Sequence, residues 1–151
     1  MKRYFFLMLL SSMFFACSDD TDIDPDLSKE FVGSWKGETF VEDGYENRTD
    51  WVITKVTDTS VKVVSTFHFI ATDPKYKSST TVTPVDNVTL SKTVANSVTM
   101  NLTQETAIPG DVIVEKSVGI VTGNTLTVSS TGTSKKTGVV TTPPVAKFTK
   151  Q

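Results

Sequence analysis

The sequence is poor in the residues from which most active sites are built. Among its 151 residues there is one histidine, His68, and one cysteine, Cys17. One cysteine cannot form an intrachain disulfide, and one histidine cannot supply a multi-histidine metal site. No serine lies in a Gly-x-Ser-x-Gly turn, and no glycine-rich loop precedes a helical pattern. We therefore predict that the protein is not an enzyme and uses no metal or cofactor.

Clusters of one sign of charge are also missing outside the N-terminal region. From residue 31 onward, twelve basic and eleven acidic side chains give a net charge of +1. No basic stripe is present, so nucleic-acid binding has no electrostatic support. The acidic residues here lie mostly in predicted turns, where Asp side chains bond the local backbone. We expect His68 to face outward between Phe67 and Phe69.

The N-terminal residues, by contrast, carry a complete export signal. Lys2 and Arg3 precede an uncharged, mostly apolar run from Tyr4 to Ala16. A positive segment, an apolar run and a small residue at its end are the three parts of a secretory signal peptide. The run is 13 residues long, whereas a membrane-spanning helix needs about 20. We predict a signal peptide over residues 1–16 and no transmembrane anchor.

The end of this run, Phe14-Phe15-Ala16-Cys17, resembles the lipobox of bacterial lipoproteins, with Phe14 in place of the usual leucine. The resemblance implies that Cys17 carries a diacylglycerol thioether, becomes the N-terminus after cleavage and is N-acylated. Two or more acyl chains hold a protein firmly at a membrane, whereas a single chain binds only marginally. Cys17 is therefore the predicted lipid anchor.

The segment that follows Cys17 is strongly acidic. Residues 18–30 contain six acidic residues and one lysine, a composition that buries too little apolar surface to offset the entropy of ordering. We assign residues 17–30 to the lipidated cysteine and a flexible tether. Ser18-Asp19-Asp20 also resembles the export signal of Bacteroidota-type surface lipoproteins. That resemblance implies an outer-membrane location with exposure at the cell surface; a generic acidic spacer is the alternative.

Residues 31–151 have the size and composition of a single all-β domain. Thr and Val account for 45 of the 151 residues, and β-branched residues favour strands over helices. Turn signals separate roughly eight to ten strand-like segments, and Pro84 is expected to end a short edge strand over residues 79–83. Because the connections are short, we predict an antiparallel meander that closes into a roughly eight-stranded barrel, with a β-sandwich as the alternative.

The first predicted strand carries a short motif. Gly33-Ser34-Trp35 resembles the Gly-x-Trp signature that opens lipocalin-like and other calycin barrels. The resemblance implies that Trp35 plugs one end of the barrel and that Gly33 permits a close bend. Members of this family often stack an arginine near the end of the last strand on the tryptophan, and this sequence offers Lys147 or Lys150 instead. A plain core tryptophan on an edge strand is the alternative interpretation.

Two functions are compatible with such a barrel, because eight-stranded barrels either hold a small ligand or are filled by side chains. In the first, a small apolar or amphipathic ligand lies in a lumen lined by large inward residues. The residues selected for that lumen are Trp51, Phe67, Phe69, Val98 and Met100. In the second, a solid core supports loops that bind a cell-surface protein partner, as in an accessory or inhibitory lipoprotein. The Gly-x-Trp resemblance favours the first, in a protein expected to be a monomer.

Overall fold

The computed structural model describes residues 26–93 and 97–151, whose regular elements are ten β-strands. These are β1 (Gly33–Gly37), β2 (Phe40–Glu42), β3 (Tyr45–Thr57), β4 (Ser60–Ala71), β5 (Ser79–Lys92), β6 (Val98–Ile108), β7 (Asp111–Thr122), β8 (Thr125–Ser134), β9 (Val140–Thr141) and β10 (Ala146–Lys150). Nothing in these two ranges forms a helix long and apolar enough to cross a membrane. The predicted signal peptide and Cys17 lie outside the described residues.

The strands form a closed antiparallel ring. β3 to β8 each pair with the next strand in the chain, β8 pairs with β10, β10 with β1, and β1 with β3. Eight strands therefore close the wall, while β2 continues the line of β1 along β3 and β9 adds to the end of β8. The predicted eight-stranded meander barrel is confirmed, and the alternative of a β-sandwich is wrong.

The apolar core fills one end of the barrel, which we call the closed end. Alternate residues of each strand point inward, and the fully buried ones include Trp35, Ile53, Val61, Met100 and Leu126. Burying one such aliphatic side chain contributes roughly 1.5–3 kcal/mol. The opposite end, which we call the open end, carries mostly polar and half-buried inward residues. The barrel is therefore stabilised mainly by the apolar core at its closed end.

A β-bulge on β5 keeps the apolar residues of this strand inside the barrel. Val61 of β4 pairs with Val88, whereas Val63, two residues further on, pairs with Val85, three residues back. The extra residue lies beside Asn87, whose φ of 58° is in the left-handed region that Asn tolerates better than most residues. Because the bulge shifts the alternation by one, Val88 below it and Val85 above it both face the interior.

The wall is open on one side between β5 and β6. These strands pair only where Thr89–Lys92 meet Val98–Asn101. Within the described residues, the upper part of β5 pairs with β4 but not with β6. The sequence predicted that this strand ends at Pro84, but β5 continues through it. The free edge explains the difference, because proline lacks only a backbone N–H and an edge position does not need one.

Part of the predicted tether packs against the closed end. Leu27 and Ser28 are buried, and the Leu27 backbone N–H donates to the Asp58 carbonyl oxygen over 2.9 Å. The assignment of residues 26–30 to a flexible tether is therefore wrong, and the folded domain includes them. The acidic composition of the segment does not indicate this packing. A single leucine beside Phe31 covers the closed end of the barrel, and Asp26 pairs with Lys55 at 2.7 Å.

Candidate functional site: a two-sided cavity in the open half of the barrel

A cavity of about 350 Å³ lies inside the barrel, between the apolar core and the open end. This volume is at the lower end of the range of about 300–1,000 Å³ that is usual for ligand pockets. The lining residues come from nine of the ten strands, all but β9, and from the link after β1: Gly37, Glu38, Phe40, Asn47, Thr49, Trp51, Val63, Ser65, Val85, Leu102, Gln104, Glu115, Ser117, Val128, Ser130, Ala146, Lys147 and Phe148.

One side of the cavity is aromatic. The Trp51 ring on β3 stacks on Phe148 of β10, with centroids 4.6 Å apart and planes inclined by 27°. The indole N–H of Trp51 donates to Ser65 Oγ on the adjacent strand over 3.1 Å, which fixes the orientation of the ring. This side therefore offers a rigid apolar surface whose one polar atom is already satisfied.

The other side of the cavity is polar and lies on β6, β7 and β8. The strand register places Gln104 beside Glu115, and Glu115 beside Gly132. One row closer to the core, Ser117 of β7 pairs with Ser130 of β8, and their hydroxyl oxygens are 2.8 Å apart. Hydroxyl, amide and carboxylate groups thus face the aromatic side across the cavity.

The opening between β5 and β6 leads into the same cavity. Val85 on one edge and Leu102 and Gln104 on the other all line it. Since no backbone hydrogen bonds join β5 to β6 at this level of the described chain, only side chains separate the cavity from the outside here.

Aromatic residues also gather at the rim of the open end. The Tyr45 ring lies 4.8 Å from Phe69 and 5.8 Å from Tyr76, centroid to centroid, so the β4–β5 loop is held against β3. The Tyr45 hydroxyl donates to the Glu42 carboxylate, and this hydrogen bond raises the pKa of Tyr45. Phe40 of β2 lines the mouth of the cavity and is 57% exposed.

Of the five residues selected from the sequence for the lumen, Trp51 lines the cavity. Met100 is fully buried in the core below it, and Val98 packs against the same core. Phe69 belongs to the aromatic rim, and Phe67 is 41% exposed near that rim. The alternation placed these side chains on the inner face, but it did not show which of them line the cavity. Val98 and Met100 lie in the core below it, and Phe67 and Phe69 do not line it although their β3 partners Thr49 and Asn47 do.

The motif residues Gly33 and Trp35 lie at the closed end. Trp35 is 1% exposed, and its indole N–H donates to the Phe31 carbonyl oxygen over 2.7 Å. Lys150 of the last strand pairs with Trp35 and places its Nζ 5.1 Å from the ring centroid, the place that the resemblance gives to an arginine. Gly33 has a φ of +138°, a backbone conformation that other residues rarely adopt.

His68 lies on the outer face, as expected. Its Nε2 is 3.2 Å from Asp50 Oδ2, and Arg48 holds the same carboxylate through its Nε and Nη2 at 3.0–3.1 Å. The Asp50 carboxylate also accepts the Gly37 backbone N–H over 3.2 Å, which links β3 to β1. This cluster therefore belongs to the barrel wall and not to the cavity.

The polar side of the cavity is the part that the sequence analysis missed. The run Val112–Thr122 carries valine or isoleucine on both faces, a pattern typical of a strand that is buried on both sides. Glu115 and Ser117 nevertheless share the inward alternation of Gly119 and Val121. A glutamate in register with buried small residues is the signal that could have identified this side.

No protein-family model matches the sequence, and no curated protein matches it. Among solved structures, one match is the crystal structure of zebrafish ileal bile acid-binding protein complexed with cholic acid. The two chains are 13% identical, the match covers 81% of this chain and 99% of that chain, and the TM-score is 0.32.

Proposed function

We propose that the barrel binds a small amphipathic ligand in the cavity. The observation that carries the proposal is the two-sided lining, in which the Trp51–Phe148 stack faces the hydroxyls of Ser117 and Ser130. Apolar walls with a few placed polar groups are the usual composition of small-molecule sites. Binding is non-catalytic, and the protein acts as a monomer.

We further propose that the barrel is displayed on the outer membrane, at the cell surface, through lipidated Cys17. Support for the location comes from the sequence alone: the leader over residues 1–16, the lipobox-like Ala16-Cys17 and the acidic Ser18-Asp19-Asp20. The free tether would then span at most residues 18–25, because Asp26 and Leu27 contact the barrel. Such a short tether holds the domain close to the membrane.

Native mass spectrometry of residues 18–151, purified gently from an exporting host, tests ligand binding. We expect an extra mass that is lost on denaturation. Ser130→Phe places a ring in the cavity and should remove that mass. Ser129→Phe is the matched control, because Ser129 is the exposed neighbour on the same strand. A bare protein mass, unchanged after incubation with lipid and bile-type mixtures, would contradict the proposal.

The second candidate is a protein-binding role, and the exposed rim favours it. Phe40 and Phe67 expose large aromatic surface near the open end, and such surface often marks a contact site. A solid core, which this alternative assumed, is not present in the open half. If no small molecule binds, crosslinking at this rim on intact cells is the next experiment, and a specific crosslinked protein would support the second candidate.

A further inference from the structure

We infer that the cavity selects ligands whose polar group is a hydrogen-bond donor or a cation, such as an alkylamine or an alcohol, and rejects carboxylates. The inference rests on the proposed ligand-binding function and names the ligand class for the same site. It follows from the charge and bonding of Glu115.

Glu115 is half-buried and lines the cavity from the middle of β7. Its carboxylate accepts a hydrogen bond from Ser117 Oγ over a long 3.4 Å. An ionised carboxylate accepts hydrogen bonds at about four positions and donates none. Most of the acceptor positions of the Glu115 carboxylate are therefore available to a hydrogen-bond donor that enters the cavity.

Among the residues that the structure describes, no positively charged side chain inside the cavity balances Glu115. None of the ion pairs formed by residues 26–93 and 97–151 includes Glu115. The other charged lining residues are Glu38 and Lys147, which are both exposed and opposite in sign. Lys147 lies between the inward residues Ala146 and Phe148, so its side chain is directed outward. The interior of the cavity therefore carries one uncompensated negative charge.

The neighbours of Glu115 leave room for a head group. Gly132, its partner on β8, places no side chain beside the carboxylate, and Gln104 on the other side offers an amide. The aromatic side, with Trp51 and Phe148, suits an alkyl chain. Since charges interact more strongly where water is excluded, an anionic head group in this place is repelled and a cationic one is attracted.

Three ligands with the same alkyl chain test the inference: octylamine, 1-octanol and octanoate. Their binding to residues 18–151 is measured by isothermal titration calorimetry at neutral pH and low salt. We expect octylamine to bind tighter than octanoate by about tenfold or more, with octanol between them. In Glu115→Gln the ratio between amine and carboxylate should fall to within about threefold.

Glu105→Gln is the control. It also removes one negative charge, but Glu105 lies exposed on β6, where it pairs with Lys135. It should leave the preference for octylamine unchanged. Octanoate binding as tightly as octylamine, or a preference that survives in Glu115→Gln, would overturn the inference while leaving ligand binding in place. Failure of all three ligands, together with a bare mass in the native spectrum, would instead contradict the proposed function.

Discussion

The ring of Trp51 stacks on the ring of Phe148, although their strands β3 and β10 are separated in the wall by β1. The contact crosses the point at which the barrel closes, because β1 and β10 come from opposite ends of the domain. The same pair forms one side of the cavity. Barrel closure and one side of the cavity therefore depend on the same two side chains.

Trp51 should report on ligand binding through its fluorescence. The chain has two tryptophans. Trp51 lines the cavity, whereas Trp35, its partner on β1, is fully buried and does not line it. We expect octylamine to shift the emission of the wild-type protein, and the shift to disappear in Trp51→Phe. A shift that persists in this variant would place the ligand elsewhere.

Phe148→Ala should destabilise the fold strongly. The side chain is buried and joins the last strand to the core, and truncation of a buried Phe costs about 3–5 kcal/mol. The free energy of unfolding is measured by urea titration. Lys147→Ala, on the exposed face of the same strand, should change it by less than about 0.5 kcal/mol. Similar losses in both variants would contradict the assigned packing.

Gly37→Ala should be among the most damaging changes in the first strand. A Cβ at this position would lie 2.1 Å from the Thr49 carbonyl oxygen, and backbone cannot move aside as a side chain can. Overpacking of this kind costs about 1–3 kcal/mol, and occasionally more. Ser34→Ala, exposed on the same strand, should remain within about 0.5 kcal/mol of wild type in urea unfolding. Near wild-type stability of Gly37→Ala would show that β1 and β3 are further apart.

Acid should weaken the contact that holds residues 26–28 to the barrel. A hydrogen bond from Lys55, assisted by Ser28, lowers the pKa of Asp26 to about 2, whereas an unfolded aspartate titrates at about 3.9. Because the folded pKa is depressed, the stabilisation is complete above about pH 4 and is lost as pH falls toward about 2. The difference in Tm between wild type and Asp26→Asn should therefore be constant from neutral pH to about pH 5 and vanish near about pH 2.

Asp43→Asn supplies the control for this measurement, since Asp43 is exposed in the β2–β3 turn. Its Tm difference from wild type should not depend on pH in the same way. A difference for Asp26→Asn that stays constant down to pH 2 would mean that Asp26 and Lys55 are not paired in solution.

Cys17→Ser should release the protein from the membrane. In an exporting host, we expect wild type in the membrane fraction with the added mass of the acyl chains, and the variant in the soluble fraction without it. Two or more chains anchor firmly, so the change should be nearly complete. Ser18→Ala keeps the cysteine and should remain in the membrane fraction. Membrane association of Cys17→Ser would rule out the lipid anchor.

Local patterns in the sequence were sufficient to predict the barrel. Composition implied strands, short turns implied pairing of neighbouring strands, and the Gly-x-Trp motif implied that Trp35 lies at one end of the barrel. These features depend on residues close together in the chain. The bulge at Asn87 and the passage of β5 through Pro84 depend on how β5 meets β4 and β6, and no local pattern specifies that.

The cavity was predicted less well for a related reason. Inward alternation selects a face, whereas the position of a residue along the barrel axis depends on the stagger between strands. Met100 and Trp51 both have the inward alternation, yet Met100 pairs with Gly119 in the core below the cavity while Trp51 pairs with Ser65 beside it. Glu115 was overlooked because charge alone suggests solvent, and its inward direction becomes clear only from its register with Gln104 and Gly132.

The opening between β5 and β6 has a consequence for exchange of the ligand. Above Thr89 the two strands share no ladder in the described chain, so moving the β4–β5 hairpin away from β6 breaks side-chain contacts and leaves the backbone ladders intact. For a ligand bound as proposed, entry or exit on this side requires only that the side chains of Val85, Leu102 and Gln104 move apart.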